Sequence, residues 1–247
     1  MRVAAILGAG GGIGAACARA AAEAGWRVVA GDIGGAAERA VGGLAHDPLA
    51  LEADVTDEAA MGRLAATAAE AGEVGLLIYA AGVVGTMAVD RMDWTLHRRI
   101  MAVNLEGAFL AAAAFAPVLR PGGAAVFLSS VAGRRGEARA SSYCASKFGL
   151  IGLAESLAAE WAPRGVRVCA VAPGNVDTPM LARVARDIAA AEGVTEEAVR
   201  ERLRRAGAAR RLVRPEEVAA VCVALGSPDF GAVTGATITV DAGAMVG

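Results

Sequence analysis

Tyr143 and Lys147 stand four residues apart, which on a helix sets the two side chains about 6 Å apart along the axis and on one face. A phenol and an ammonium held that close suit proton transfer. A free phenol titrates near pH ~10, and a neighbouring cation favours the phenolate that a base must become. Lys147 is the only lysine in a chain whose other basic residues are all Arg. A guanidinium cannot replace the compact, tunable charge of an ammonium, so this position reads as one that needs it. Chance survival of one surface lysine is the bland alternative. Ser130 lies thirteen residues before Tyr143, just beyond an apolar run, and adds a hydroxyl.

A second group of residues suits an anionic ligand. Gly8, Gly12 and Gly14 fall where the apolar run Val3–Leu7 meets an alanine-rich stretch reaching to about Ala24. Glycines at a strand-to-helix turn let backbone N–H groups approach a pyrophosphate, whose charge the helix N-terminus favours. Asp32 follows Gly14 by eighteen residues. A carboxylate there accepts from both adenosine ribose hydroxyls and repels a 2′-phosphate, which predicts NAD over NADP. Its neighbours Gly11 and Ile33 bring no cation for that phosphate. The alternative for Asp32 is a helix N-cap.

These groups need a scaffold, and the pattern around them supplies one. β-rich runs at Val3–Leu7, Arg27–Ala30, Ala50–Ala53, Leu76–Tyr79, Ala124–Leu128, Arg167–Val171 and Thr237–Val240 alternate with helical stretches near Glu58–Ala71, Met92–Leu119, Ser142–Trp161 and Pro215–Leu225. That alternation predicts an α/β fold, a doubly wound parallel sheet with helices on both faces. No linker divides the chain, so residues 1–247 read as a single Rossmann-type domain, with a charged, mostly helical insertion at about 177–207 as a lid.

Composition narrows the function. A formal net charge of −2 argues against a nucleic-acid binder, whose face would be strongly basic. A 55% hydrophobic chain is too apolar for disorder. Glycines interrupt the uncharged stretch Val74–Val89, which is too short to span a bilayer, so no membrane segment is expected. The apolar run after Met1-Arg2 imitates a signal peptide, but its Gly-rich centre has the better reading above. Cys17, Cys144, Cys169 and Cys222 form no CxxC pair and read as reduced cysteines of a cytoplasmic protein. His46 and His97 are isolated and no cluster has ligand spacing, so no metal is expected. His97, beside Arg98 and Arg99, reads as part of a solvated helix face.

With the glycine pattern, Asp32, Asp54-Val55, Asn104, Ser130, Tyr143-Cys144-Ala145-Ser146-Lys147 and Pro173-Gly174 in this order, the chain resembles the short-chain dehydrogenase/reductase family over nearly its full length. The resemblance implies a seven-stranded sheet and an NAD site that includes Ile13, Ala81 and Gly82. Asp54 and Val55 would flank the adenine, and Pro173, Gly174, Val176 and Thr178 would hold the nicotinamide amide. It also implies that Ser130 binds the substrate oxygen, Tyr143 acts as acid/base and Lys147 reaches the nicotinamide ribose. Asn104 would hold a water in a proton relay, with a buried amide at a helix kink as its alternative.

Three positions depart from the family pattern: Leu7 replaces its Thr, Tyr79-Ala80-Ala81-Gly82 its Asn-Asn-Ala-Gly, and Val240-Asp241-Ala242-Gly243 its Val-Asp-Gly-Gly. Tyr79 reads as structural. The implied activity is oxidation of a small secondary alcohol or reduction of a ketone by a homotetramer, with a dimer as second choice, paired through the helices at Met92–Leu119 and Ser142–Trp161. A 3-oxoacyl-(acyl-carrier-protein) reductase and a 3-hydroxyacid dehydrogenase are the alternatives among enzymes, and a nonenzymatic dinucleotide sensor the alternative class. Gly193 to Glu197 is similar to the lid of 3-hydroxybutyrate dehydrogenases, but Ala140 stands where those carry a substrate-binding lysine. Arg134, Arg135, Arg139 and the arginines of the insertion either recruit a carboxylate or pair with nearby glutamates.

Overall fold

The computed structural model describes residues 1–246. Its single sheet has seven strands, all parallel, in the order β3-β2-β1-β4-β5-β6-β7. Along the chain these are β1 (Arg2–Leu7), β2 (Arg27–Asp32), β3 (Leu49–Glu52), β4 (Glu73–Tyr79), β5 (Leu119–Leu128), β6 (Arg167–Pro173) and β7 (Thr237–Val240). The central strands are buried on both faces, which is why β1, β4 and β6 read as continuous apolar runs rather than alternating ones. Helices α1 (Gly12–Glu23), α2 (Ala36–Val41) and α9 (Pro215–Ala224) cover one face, sealing a core that includes Ile6, Trp26, Ile78 and Val218. Helices α3 (Glu58–Ala71), α5 (Gly107–Phe115) and α6 (Ser141–Trp161) cover the other over Leu64, Phe115, Phe127 and Leu150.

Parallel strands all finish on the same edge, and the order reverses direction between β1 and β4. Ligands of open α/β sheets sit in the crevice at that switch point. Leu7 pairs with Gly31 on one side and with Tyr79 on the other, so the turns after β1 and β4 meet there.

The expected helix Met92–Leu119 is not one helix. Asp93 caps α4 (Trp94–Met101) by accepting from the N–H groups of Thr95 and Leu96, a π-turn follows at Ala102–Glu106, α5 ends at Phe115, and Leu119 already belongs to β5. Pro117 forbids continuation, and the π-turn accommodates the buried amide of Asn104 described below. The insertion forms α7 (Pro179–Glu192) and α8 (Glu196–Arg205), packed on each other through Ala185, Ala189 and Val199. The short helix α2 has no counterpart among the expected elements, because two glycines lead into it and only two of its residues are buried.

Candidate active site

The turn after β1 opens into a cavity of about 660 Å³ lined by Gly8, Gly12, Ile13, Gly14, Asp32, Asp54, Val55, Ala81 and Gly82. Gly8 has φ +78, and a Cβ on it would lie 2.4 Å from the Ala81 nitrogen, so only glycine passes β4 that closely. A Cβ on Gly14 would lie 2.0 Å from the Gly8 carbonyl oxygen. The twelve-residue α1 begins here with no side-chain cap, leaving its first-turn N–H groups to the cavity. Asp32 is not an N-cap: one carboxylate oxygen accepts from Gly10 N–H (2.7 Å) and the other from Ile33 N–H (2.7 Å). These donors and this cradle fit a dinucleotide. Arg99 of α4 also lines this cavity, a placement that the solvated face expected around His97 does not foretell.

A second cavity, about 450 Å³, lies beyond the ends of β5 and β6 and is lined by Ser130, Tyr143, Pro173, Gly174, Val176 and Thr178. Ile13, Thr178 and Met180 border both cavities, so the two adjoin. Thr178 is the N-cap of α7, its hydroxyl accepting from Leu181 N–H at 3.3 Å and donating to the Val176 carbonyl.

Ser130, Tyr143 and Lys147 come together as their spacing predicts. The Lys147 ammonium lies 5.7 Å from the centre of the Tyr143 ring and donates to the Leu128 carbonyl at 2.7 Å. Asn104, fully buried in the π-turn, donates to the Val83 carbonyl (2.9 Å) and to Ser146 Oγ (3.0 Å) and accepts from Val83 N–H (2.7 Å). It therefore ties the π-turn to α6 and to the segment after β4. Ser129 donates to the Lys147 carbonyl at 2.8 Å.

Protonation differs from the sequence expectation. Burial pushes the Tyr143 phenol up to about 12, its hydrogen bond to Ser130 draws it back, and the Glu137 carboxylate raises it further. Burial lowers Lys147 to about 7. In this arrangement the ammonium does not hold the phenol ionised. Desolvation acts on both groups and opposes both charged forms, an effect that residue spacing does not reveal.

Tyr79, fully buried at the end of β4, donates its hydroxyl to the Val103 carbonyl in the π-turn, next to Asn104. A Cβ on Gly107 would lie 2.5 Å from that hydroxyl oxygen. Burial, reinforced by the Asp54 carboxylate, raises its pKa and keeps it a neutral donor. His97 is half-buried rather than solvated, with Nδ1 2.8 Å from the Ser142 hydroxyl. Arg134 donates to the Thr239 hydroxyl and Arg135 to the Ala244 carbonyl at 3.3 Å. In the insertion, Arg200, Arg202, Arg204 and Arg205 form ion pairs with Asp177, Glu192, Glu197 and Glu201. Among the described residues, no three His, Cys, Asp or Glu side chains converge as a metal site, and no helix is long and apolar enough to cross a membrane.

A family model described as enoyl-(acyl carrier protein) reductase matches residues 8–245. The chain is 39% identical over 249 residues to cis-4-hydroxycyclohexanecarboxylate dehydrogenase of Sinomonas cyclohexanicum, covering 98% of this chain and 96% of that one. It is 39% identical to galactitol 2-dehydrogenase (L-tagatose-forming) of Cereibacter sphaeroides over 98% of this chain and 94% of that one. An uncharacterized short-chain type dehydrogenase/reductase of Sinorhizobium fredii, y4vI, is 38% identical over 99% of this chain, which spans only 44% of that longer protein. Among solved structures, a single-residue variant of actinorhodin polyketide ketoreductase with NADPH superposes with a TM-score of 0.92 at 30% identity, covering 98% of this chain and 97% of that one.

Proposed function

The chain belongs to the short-chain dehydrogenase/reductase family, and from that premise we propose an NAD-dependent oxidoreductase that interconverts a secondary alcohol and its ketone. The observation that carries this reading is that Ser130 and Tyr143 line a cavity adjoining the glycine-lined one, with the ammonium of buried Lys147 5.7 Å from the Tyr143 ring centre. The dinucleotide would lie along Gly8, Gly12, Ile13 and Gly14, with Asp32 at the adenosine ribose, Asp54 and Val55 beside the adenine, and Ala81 and Gly82 along its middle. Pro173, Gly174, Val176 and Thr178 would hold the nicotinamide. Bound there, the nicotinamide supplies the hydride acceptor or donor.

The chain's own residues handle the proton. Ser130 hydrogen-bonds the substrate oxygen, and Tyr143 gives that oxygen a proton in reduction or takes one in oxidation. Lys147 places a positive charge behind the phenol when protonated. Asn104 anchors the π-turn as the start of a proton path to solvent. Helices α7 and α8 close the substrate cavity as a lid. Four unpaired, buried cysteines suit the cytoplasm, and the exposed apolar faces of α5 and α6 suit a homotetramer. The acyl-carrier description of the matching family favours one second reading, a carrier-linked 3-oxoacyl reductase. Asp32 weighs against its usual NADPH.

Tyr143→Phe tests the assignment. Fluorescence titration should show NADH binding retained, while turnover falls about 10²- to 10⁴-fold. Turnover that survives removes Tyr143 from the acid/base role. In the same assay, Asp32→Ala should narrow the preference for NAD over NADP; an unchanged ratio means that the carboxylate does not select the dinucleotide.

A further inference from the structure

The charges around the substrate cavity narrow the substrate class. Its walls are mostly apolar, with Val84, Val131, Leu181, Val184 and Ile188 among them. Four charged side chains reach it: Glu137 and Arg139 from the loop before α6, and Asp187 and Glu192 from α7. Glu192 is held by Arg202 through two bonds of 2.8 and 3.0 Å and is also in the field of Arg139. Glu137 and Asp187 have no ion-pair partner among the described residues. The nearby guanidinium groups of Arg134 and Arg135 are turned to Thr239 and Ala244.

We propose that the substrate is an uncharged, mainly apolar secondary alcohol or ketone, and that Glu137 is the specificity residue that turns carboxylated analogues away. This rests on the oxidoreductase reading above. A substrate carboxylate needs a guanidinium or an equivalent donor set; Arg139 is the one guanidinium on this wall among the described residues, and the carboxylates of Glu137 and Asp187 outnumber it. With two exposed carboxylates against one guanidinium, the wall is net negative and repels a further carboxylate, most strongly at low ionic strength. The Glu137 carboxylate already acts on the Tyr143 phenol, so its field reaches the place where the reacting oxygen must sit. Polyols fit poorly for a different reason. Asn175 donates to the Leu203 carbonyl at 3.0 Å, and hydroxyls that face the Val, Leu and Ile walls lose their hydrogen bonds to water without replacement.

An isosteric pair isolates the charge. With saturating NAD, initial rates are measured for cis-4-hydroxycyclohexanecarboxamide, cis-4-hydroxycyclohexanecarboxylate, cis-4-methylcyclohexanol and galactitol. The carboxamide should exceed the carboxylate in kcat/KM by about tenfold or more, and Glu137→Gln should shrink that ratio by about threefold at low ionic strength. Galactitol should be slower than 4-methylcyclohexanol. Glu137 is solvent-exposed, so the variant folds, and a thermal melt verifies it. Equal or better use of the carboxylate, faster galactitol oxidation, or a ratio unmoved in Glu137→Gln overturns the proposal while leaving an alcohol oxidoreductase in place. No oxidation of any secondary alcohol with either NAD or NADP overturns the parent reading itself, and this one with it.

Discussion

Lys147 is the residue at which spacing and environment disagree. Residue type and register identify it, and the structure places it beside Tyr143, but burial lowers its pKa to about 7 where an unfolded lysine titrates near ~10.4. Between those values the unfolded chain binds more protons than the folded one, so stability rises with pH across that window. Tyr143, raised to about 12, has the opposite consequence, since above pH ~10 the unfolded phenol ionises first and stability falls. Thermal melting of the protein should therefore rise by a few degrees between pH 7 and about 8.5, below the range in which unfolded thiols ionise ahead of buried Cys169 and Cys222, and Lys147→Met should remove most of that rise. An equal rise in the variant would show that Lys147 is not the buried group responsible. The sequence exposes both side chains because each is rare in this chain; it leaves their electrostatics unread because desolvation depends on what surrounds them in three dimensions.

The π-turn shows what a periodic pattern conceals. Met92–Leu119 is helical by composition, and one extra residue per turn leaves almost no mark on such a pattern. What marks it in the structure is Asn104 bonded on three sides, and Tyr79, whose hydroxyl satisfies the Val103 carbonyl. The departure at Tyr79 is visible in the sequence, but its partner lies 24 residues away. Tyr79→Phe removes that hydrogen bond, a loss of about 0.5–1.5 kcal/mol. Gly107→Ala drives a methyl group against the same hydroxyl. Because removing the hydroxyl also relieves part of that clash, the two substitutions combined should destabilise by less than their sum in denaturant unfolding. Strict additivity would mean that the two positions do not share a contact. Strands are far easier to read: all seven lie where short apolar runs predict them, and the central β1, β4 and β6 leave an unbroken apolar signature because both their faces are buried.

At the scale of the molecule, α5 and α6 present an apolar groove lined by Phe109, Ala113, Gly152, Leu157 and Trp161, with Phe109 54% exposed. A side chain of that size left in water suits a surface that another copy of the chain covers. Phe109→Asp should shift the sedimentation profile toward smaller species; an unchanged profile would place the contact elsewhere. The two main cores seal the sheet from either side, whereas α7 and α8 share a satellite of three buried side chains, Ala185, Ala189 and Val199. That separation has a mechanical meaning. A unit with its own small seam can part while every strand stays paired, which would make the route to the phenol at Tyr143 a door hung outside the main frame of the house.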